Sequence, residues 1–339
     1  MALDPARAAV RAGVRRVLDE AALEPGTPVV VACSGGADSL ALLAATVFES
    51  RAHGSGRGLH VVAATVDHGL QDGSAELAER VVAQAAGLGA DETVAARVSV
   101  HSEGQGVEAA AREARYDVLA QVAQRWSAPL VLLGHTRDDQ AETVLLGLTR
   151  GSGARSLAGM RRGFDVFARP LLDVTRAQTE AACRAEGLDY WEDPHNTDQR
   201  FTRARVRHRV LPILEAELGP GVAAALARTA DQLTEDAQAL DAYADAAFRA
   251  AATDEPAGAV GVRLDGLAGL PTAVRTRVLR RAALAAGCPG AELFRVHVQA
   301  LDRLAADPDR AAKQVQLPGR VTARCGRDSL TFVTTPVGG

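Results

Sequence analysis

The chain has 339 residues, of which 47% are hydrophobic, 24% charged and only 4% aromatic; this excludes extended disorder and describes a globular protein with an Ala, Val and Leu core. A formal net charge of -4 excludes a globally basic polyanion binder, so nucleic-acid contact must rest on local basic clusters. The length allows two cores, and four scattered cysteines, Cys33, Cys183, Cys288 and Cys325, with no CxxC pair, exclude a disulfide scaffold and predict a reduced, cytoplasmic protein.

The first twenty residues mix Arg7, Arg11, Arg15 and Arg16 with Asp4, Asp19 and Glu20, and no export signal is expected there. No later run offers eighteen uncharged apolar residues, so no membrane partner is expected. Apolar spacing predicts a helix over 10–22, ending before Pro25 and Gly26. A strand over 29–33 follows, then a tight loop and a helix over 40–47. The same unit recurs. A strand over 59–66, a helix over 75–88, an apolar segment within 92–100, a helix over 108–126, a strand over 130–133 and a helix over 139–148 complete it. This alternation predicts an α/β fold: a Rossmann-like parallel sheet with helices on both faces and ligands at the carboxyl ends of its strands. After about residue 210 the sequence turns Ala-rich and helical over 213–250 and 272–285. The expected domains are therefore 1–210, catalytic, and 211–339, mainly helical. Residues 253–261 read as a loop, and a short β element is expected within 320–333.

The segment Ser34-Gly35-Gly36-Ala37-Asp38-Ser39 sits where the first strand hands over to a helix. Its two glycines let the backbone approach an anion, the hydroxyls of Ser34 and Ser39 can donate to phosphate oxygens, and the helix dipole adds to the attraction. Asp38 repels phosphate directly but could hold a magnesium ion. An ordinary turn with helix-capping residues stays open on these six residues alone. No lysine follows the loop as in a Walker motif, and the chain holds a single lysine, Lys313.

The hexapeptide matches the SGGxDS signature of PP-loop ATP pyrophosphatases, and further motifs resemble one family within that class, the tRNA(Ile)-lysidine synthetases. Val66-Asp67-His68-Gly69-Leu70 looks like their VDHGL segment. Residues 106–116, with Arg112, Arg115 and Tyr116, are similar to their ExxARxxRY helix. Gly134-His135-Thr136-Arg137-Asp138-Asp139-Gln140-Ala141-Glu142-Thr143 resembles their GHxxDDQAET. Arg169-Pro170-Leu171-Leu172 and Glu192-Asp193-Pro194-His195-Asn196 resemble RPLL and EDPxN segments, and the likeness runs over residues 29–214. One departure is Ala204, where the family commonly carries Asn; a polar role is not expected there.

The resemblance implies a PP-loop, adenine nucleotide alpha hydrolase-like fold, use of ATP and magnesium, and two partners, tRNA(Ile) and free L-lysine. It implies a nucleotide site at Ser34 to Ser39, Val66 and His68, with Asp38 and Asp139 as metal ligands. Asp38, Arg115, His135, Asp139 and Glu142 are the expected catalytic residues. Arg112, Arg115, Arg155, Glu192, Asp193, Asn196, Arg203, Arg205 and Arg207 are the expected substrate or tRNA contacts. The residues themselves leave plainer alternatives open: Asp138 and Asp139 as first-turn acids, Arg112 in a salt-bridged face with Glu108 and Glu113, and His68 and His135 as strand-end histidines. Arg275, Arg277, Arg280 and Arg281 could grip tRNA or form a solvated helix face. A tRNA thiolase or a nonenzymatic ATP-binding module are the competing functions, and a homodimer is one open oligomeric form.

Overall fold

The computed structural model describes residues 4–51, 56–67, 73–98, 107–149, 154–193, 197–256, 258–309 and 312–334. His68, Asn196 and the side chain of Arg155, all expected at the site, lie outside the described residues. The chain forms two compact units, Met1–Thr234 and Glu235–Gly339.

In the first unit α1 (Pro5–Ala21) begins earlier than its apolar periodicity, because Asp4 accepts from the amides of Ala6 and Arg7 and Pro5 occupies the first turn. There follow β1 (Pro28–Ala32), α2 (Ala37–Ser50), β2 (His60–Asp67), α3 (Ser74–Leu88), β3 (Glu92–Arg97), α4 (Val107–Trp126), β4 (Leu130–Leu132) and α5 (Arg137–Thr149). Next come α6 (Ala154–Leu157), β5 (Gly163–Phe164), β6 (Phe167–Ala168), α7 (Arg176–Glu186), α8 (Thr202–Arg205) and α9 (Leu211–Leu218). The sheet order is β3-β2-β1-β4-β6-β5, and every neighbouring pair is parallel except β5 with β6.

β1 shows why this sheet is covered on both faces. Val29, Val30 and Val31 are all fully buried. Val29 and Val31 point into the core that contains α1 and α2, whereas Val30 packs with Leu119 and Val122 of α4 on the opposite face. The chain runs outward from β1 to β2 and β3, then returns to β4 on the other side. The strand order therefore reverses between β1 and β4, and the crevice at their carboxyl ends is where α/β sheets bind ligands.

The unbroken helix expected over 213–250 is split by Gly219, whose φ of 92° ends α9, and α10 (Val222–Ala251) starts afresh. Residues just past 210 pack with the first unit: Leu211, with Ala223 and Leu226, lies against Ala141 of α5. The boundary between the compact units falls within α10, at Thr234 and Glu235.

The second unit adds β7 (Ala252–Thr253), β8 (Ala259–Arg263), α11 (Thr272–Ala285), α12 (Arg295–Ala306), β9 (Gln314–Leu317), β10 (Val321–Cys325) and β11 (Ser329–Thr334). Its antiparallel sheet, β7-β8-β11-β10-β9, is larger than the single β element expected. The loop expected over 253–261 gives way to β7 and β8, because Val260 and Val262 alternate against β11 and bury Val262 completely. The α11 arginines are committed within this unit: Arg275 pairs with Asp302, Arg277 with Asp241 and Arg281 with Asp245, while Arg280 donates to the carbonyls of Leu293 and Gly290.

Candidate active site

A cavity of about 740 Å³ opens at the β1/β4 crevice, and its walls are made by the loops after β1 and β4, by the end of β2, by α3 and α4 and by residues 190–193. The loop after β1 is self-braced. Ser34 donates its amide to Ser39 Oγ (3.1 Å), and Ser39 Oγ donates to the carbonyl of Gly36 (2.9 Å). Gly35 has a φ of 83°, and a Cβ there would stand 2.7 Å from Val81 Cγ2, so both conformation and space require glycine. Gly36 precedes α2 without a side-chain hydrogen bond to it, which leaves the first-turn amides to meet an anion. Trp191 donates its amide to the carbonyl of Gly35 (2.9 Å), holding residues 190–193 beside the loop.

Opposite the loop lies a buried charge cluster. Asp139 and Glu142 of α5 are 7% and 0% exposed. Thr136 and Asp139 form a capping box, the Thr136 amide donating to Asp139 Oδ2 (2.8 Å), so the helix-capping reading of Asp139 holds for one oxygen. The other oxygen meets three guanidiniums: Arg176 (3.0 Å), Arg207 (3.1 Å) and Arg203 (3.4 Å). Glu142 takes Arg207 (2.6 Å) and Arg203 (2.7 Å). Burial opposes ionisation of Asp139, but Arg176, then Arg203, outweigh it and hold its carboxyl below the usual range. A one-turn π segment, Val206–Val210, follows α8, and Arg207 within it reaches the same two acids as Arg203.

Arg176 links this cluster to the loop. Its Nε lies 3.4 Å from Asp38 Oδ2 while its Nη2 contacts Asp139. Thr179 donates to the other Asp38 oxygen. Burial, opposed by Arg176 and reinforced by the charge of Asp139, pushes Asp38 up to about 6. Asp38 and Asp139 thus each turn one oxygen toward a single shared cationic position. That position is taken by the Arg176 guanidinium, so a magnesium ion held by the same two oxygens, an arrangement that suits an ion taking only one or two carboxylates, would replace it there. Among the described residues no cluster of three or more metal-binding side chains competes with that pair.

His135 ends the strand side of the cavity. Its Nδ1 accepts from Arg169 Nε (3.2 Å), and Arg169, 5% exposed, also donates to Tyr116 Oη (3.0 Å) and to the carbonyl of Arg161 (2.6 Å). Burial first, then the neighbouring arginines, hold His135 down to about 3 against the pull of Asp139. Arg115, an exposed residue of α4, lines the cavity.

The structure therefore brings Ser34, Gly36, Ala37, Asp38, Ser39, Val66, Arg115, His135, Asp139, Glu192, Asp193, Arg203 and Arg207 to one cavity, with Gly35 in its loop and Glu142 directly behind. Arg205 is turned away: its guanidinium donates to the carbonyls of Gln199 and Arg200 and to Thr202. Arg112 is exposed and lies over the Tyr116 ring rather than in the cavity wall. Asp138 accepts from the amide of Arg176, tying the start of α7 to α5. Sequence reasoning missed Arg176 and Thr179, and it named Arg169 only as part of the RPLL segment, without a role at the site. One signal was available: Arg176 is the first residue of α7, where the helix dipole disfavours a cation, and such a local conflict marks a functional position.

The anion-binding loop and crevice define an ATP-binding domain of the PP-loop class, and a PP-loop domain family model matches residues 10–214. A second model, the TilS substrate binding domain, matches residues 263–331. The tRNA(Ile)-lysidine synthase of Thermobifida fusca (strain YX) is 52% identical, with 95% of each chain covered. That of Streptomyces coelicolor is 47% identical over 94% of this chain and 96% of its own. The chain belongs to the tRNA(Ile)-lysidine synthase family. Among solved structures, a U34-tRNA thiolase from Methanococcus maripaludis with a [4Fe-4S] cluster shares the fold, at a TM-score of 0.56 and 18% identity over 67% of this chain and 78% of that one.

Proposed function

We propose that this protein converts the wobble cytidine of tRNA(Ile) to lysidine, using ATP and free lysine and releasing AMP and pyrophosphate. The observation that carries this reading is the cavity in which the braced loop 34–39, through its own Asp38, meets Arg176 and with it Asp139. Relatives that bear the synthase name at about half identity along nearly the whole chain support the particular reaction.

In the first step the C2 carbonyl oxygen of cytidine attacks the α-phosphorus of ATP, the bond to the β-phosphate bridging oxygen breaks, and pyrophosphate leaves. The amides of residues 35–38 and the Ser34 hydroxyl bind phosphate oxygens, Ser39 braces the loop by donating to the Gly36 carbonyl, and Arg115 supplies the cation that a Walker lysine supplies elsewhere. Asp38 and Asp139 would hold magnesium, which when bound neutralises phosphate charge at the bond that breaks. In the second step the ε-amine of lysine attacks C2, and the C2–O bond breaks as AMP departs. A neutral amine at pH 7 costs roughly 4 to 5 kcal/mol against a pKa of about 10.4. Asp139 and Glu142 are the candidate bases. Each is met by at least two arginines, so proton transfer to either requires a guanidinium to move aside. Glu192 and Asp193 in the cavity lining would orient substrate, and the second unit would contact tRNA. A cytoplasmic location follows from the substrate.

The test is incorporation of labelled lysine into unmodified tRNA(Ile) with ATP and magnesium, comparing wild type with Asp38→Ala. Labelling that vanishes in the variant supports the reading. Pyrophosphate release without labelling would retain adenylation and reject lysine as the nucleophile; neither signal would leave a nonenzymatic nucleotide-binding module.

A further inference from the structure

We infer that Arg169 is a positioning residue that fixes His135 as a neutral imidazole protonated on Nε2, so that His135 serves the cavity as a hydrogen-bond donor and not as a base. A guanidinium has donors and no acceptor, so the 3.2 Å contact from Arg169 Nε to Nδ1 requires a lone pair on Nδ1. In a neutral ring the proton then sits on Nε2. His135 lines the cavity, whereas Arg169 is 5% exposed and stands behind the ring. The Nδ1 edge accordingly faces protein and the Nε2 edge faces the space where substrate binds.

Arg169 is built for this task. Its three nitrogens each have a separate acceptor, in His135, in the Arg161 carbonyl and in Tyr116 Oη, and its plane lies 4.8 Å over the Phe164 ring. Those partners sit on α4, at the end of β4 and beside the β5–β6 hairpin, so the guanidinium cannot rotate without losing contacts to three elements. The charged groups around the ring are Arg169, Arg115 and Arg203 on one side of the balance and Asp139 on the other, and burial with the arginines keeps it uncharged. A donor held in this way matches an oxygen acceptor that gains negative charge during reaction, which a phosphate oxygen or the activated C2 oxygen both provide.

The inference rests on the proposed reaction only for its rate assay. The full-length protein, labelled with ¹⁵N at histidine and assigned by comparison with His135→Gln, reports the tautomer by ring ¹⁵N shifts between about pH 6 and about pH 8. We expect Nε2–H throughout in the wild type, a mixture of tautomers in Arg169→Met, and tRNA-dependent pyrophosphate release about 10- to 100-fold slower in that variant, with KM for ATP within about threefold. Protonation of wild-type His135 on Nδ1, or on both nitrogens, overturns the inference even if Arg169→Met fails to fold. An unchanged tautomer in a folded Arg169→Met overturns it as well. A wild type that releases no pyrophosphate would reject the reaction while the spectrum still decides the histidine.

Discussion

At Asp139, one carboxylate oxygen caps its own helix while the other meets three arginines, and Glu142 behind it has no contact with solvent. Removing charge from such a cluster leaves three half-buried guanidiniums to share the one remaining carboxylate of Asp139. Glu142→Gln should therefore destabilise the fold by about 3 kcal/mol, seen as a lower urea midpoint, and should slow lysine transfer from preformed adenylate in single-turnover assays. Normal transfer in that variant would remove Glu142 as a base. Arg176→Gln should cut pyrophosphate release about 100-fold, because Asp38 and Asp139 lose their common partner. The histidine gives a pH signature. Its folded pKa of about 3 lies below the ordinary 6.5, so its contribution is complete above about pH 6.5 and is lost as pH falls toward 3. Asp38 acts in the opposite sense: its folded value of about 6 exceeds 3.8, so its contribution is present below 3.8 and lost as pH rises through 6. Comparing wild type with His135→Gln isolates the first effect. Between pH 6.5 and about pH 5 the wild type should lose about 2 kcal/mol more than the variant.

At the scale of elements, the site depends on how α7 begins. Thr175 and Gln178 form a capping box, and the same turn sets Arg176 and Thr179 against Asp38. Thr175→Ala should cost about 1 kcal/mol in thermal or urea unfolding, and it should slow pyrophosphate release more than so small a stability change explains. Long elements were legible in the sequence because burial on both faces writes itself as uninterrupted apolar runs in β1, β2 and β4. The loop 34–39 and the 134–143 motif were legible because phosphate binding and helix capping demand particular residues at fixed spacing. β5 and β6, two residues each, carry no periodicity, and β7 and β8 were hidden by the Pro and Gly around them. Arg169 and Arg176 gain their meaning only from partners tens of residues away. Arg203, Arg205 and Arg207 looked equivalent in a basic run, yet two neutralise buried acids and the third folds back on its own segment.

For the molecule as a whole, a net charge of -4 leaves tRNA contact to local basic groups, and the cavity lining itself carries four arginines against six acids. The place where the chain is cut should matter accordingly. A protein ending at Thr234 retains the packing of Leu211, Ala223 and Leu226 on Ala141, and we expect it to fold and bind ATP while its tRNA affinity drops about tenfold or more, with a shallower salt dependence. A protein ending at Val210 lacks that cover behind Glu142 and should unfold at a lower temperature. Filter binding at several salt concentrations, with calorimetry of both truncations, checks the pair.

The π segment sets a limit on what chain lengths the site tolerates. Its amide at Leu211 reaches back five residues to Val206 instead of four, which amounts to one extra residue accommodated inside a helix. Deleting a single residue from 206–210 would let the ladder close as ordinary α-helix and turn everything before it by about 100° about the axis. Arg203 would swing off Glu142 with no substitution at either position. Residue count in this stretch is thus as much a part of the site as residue identity.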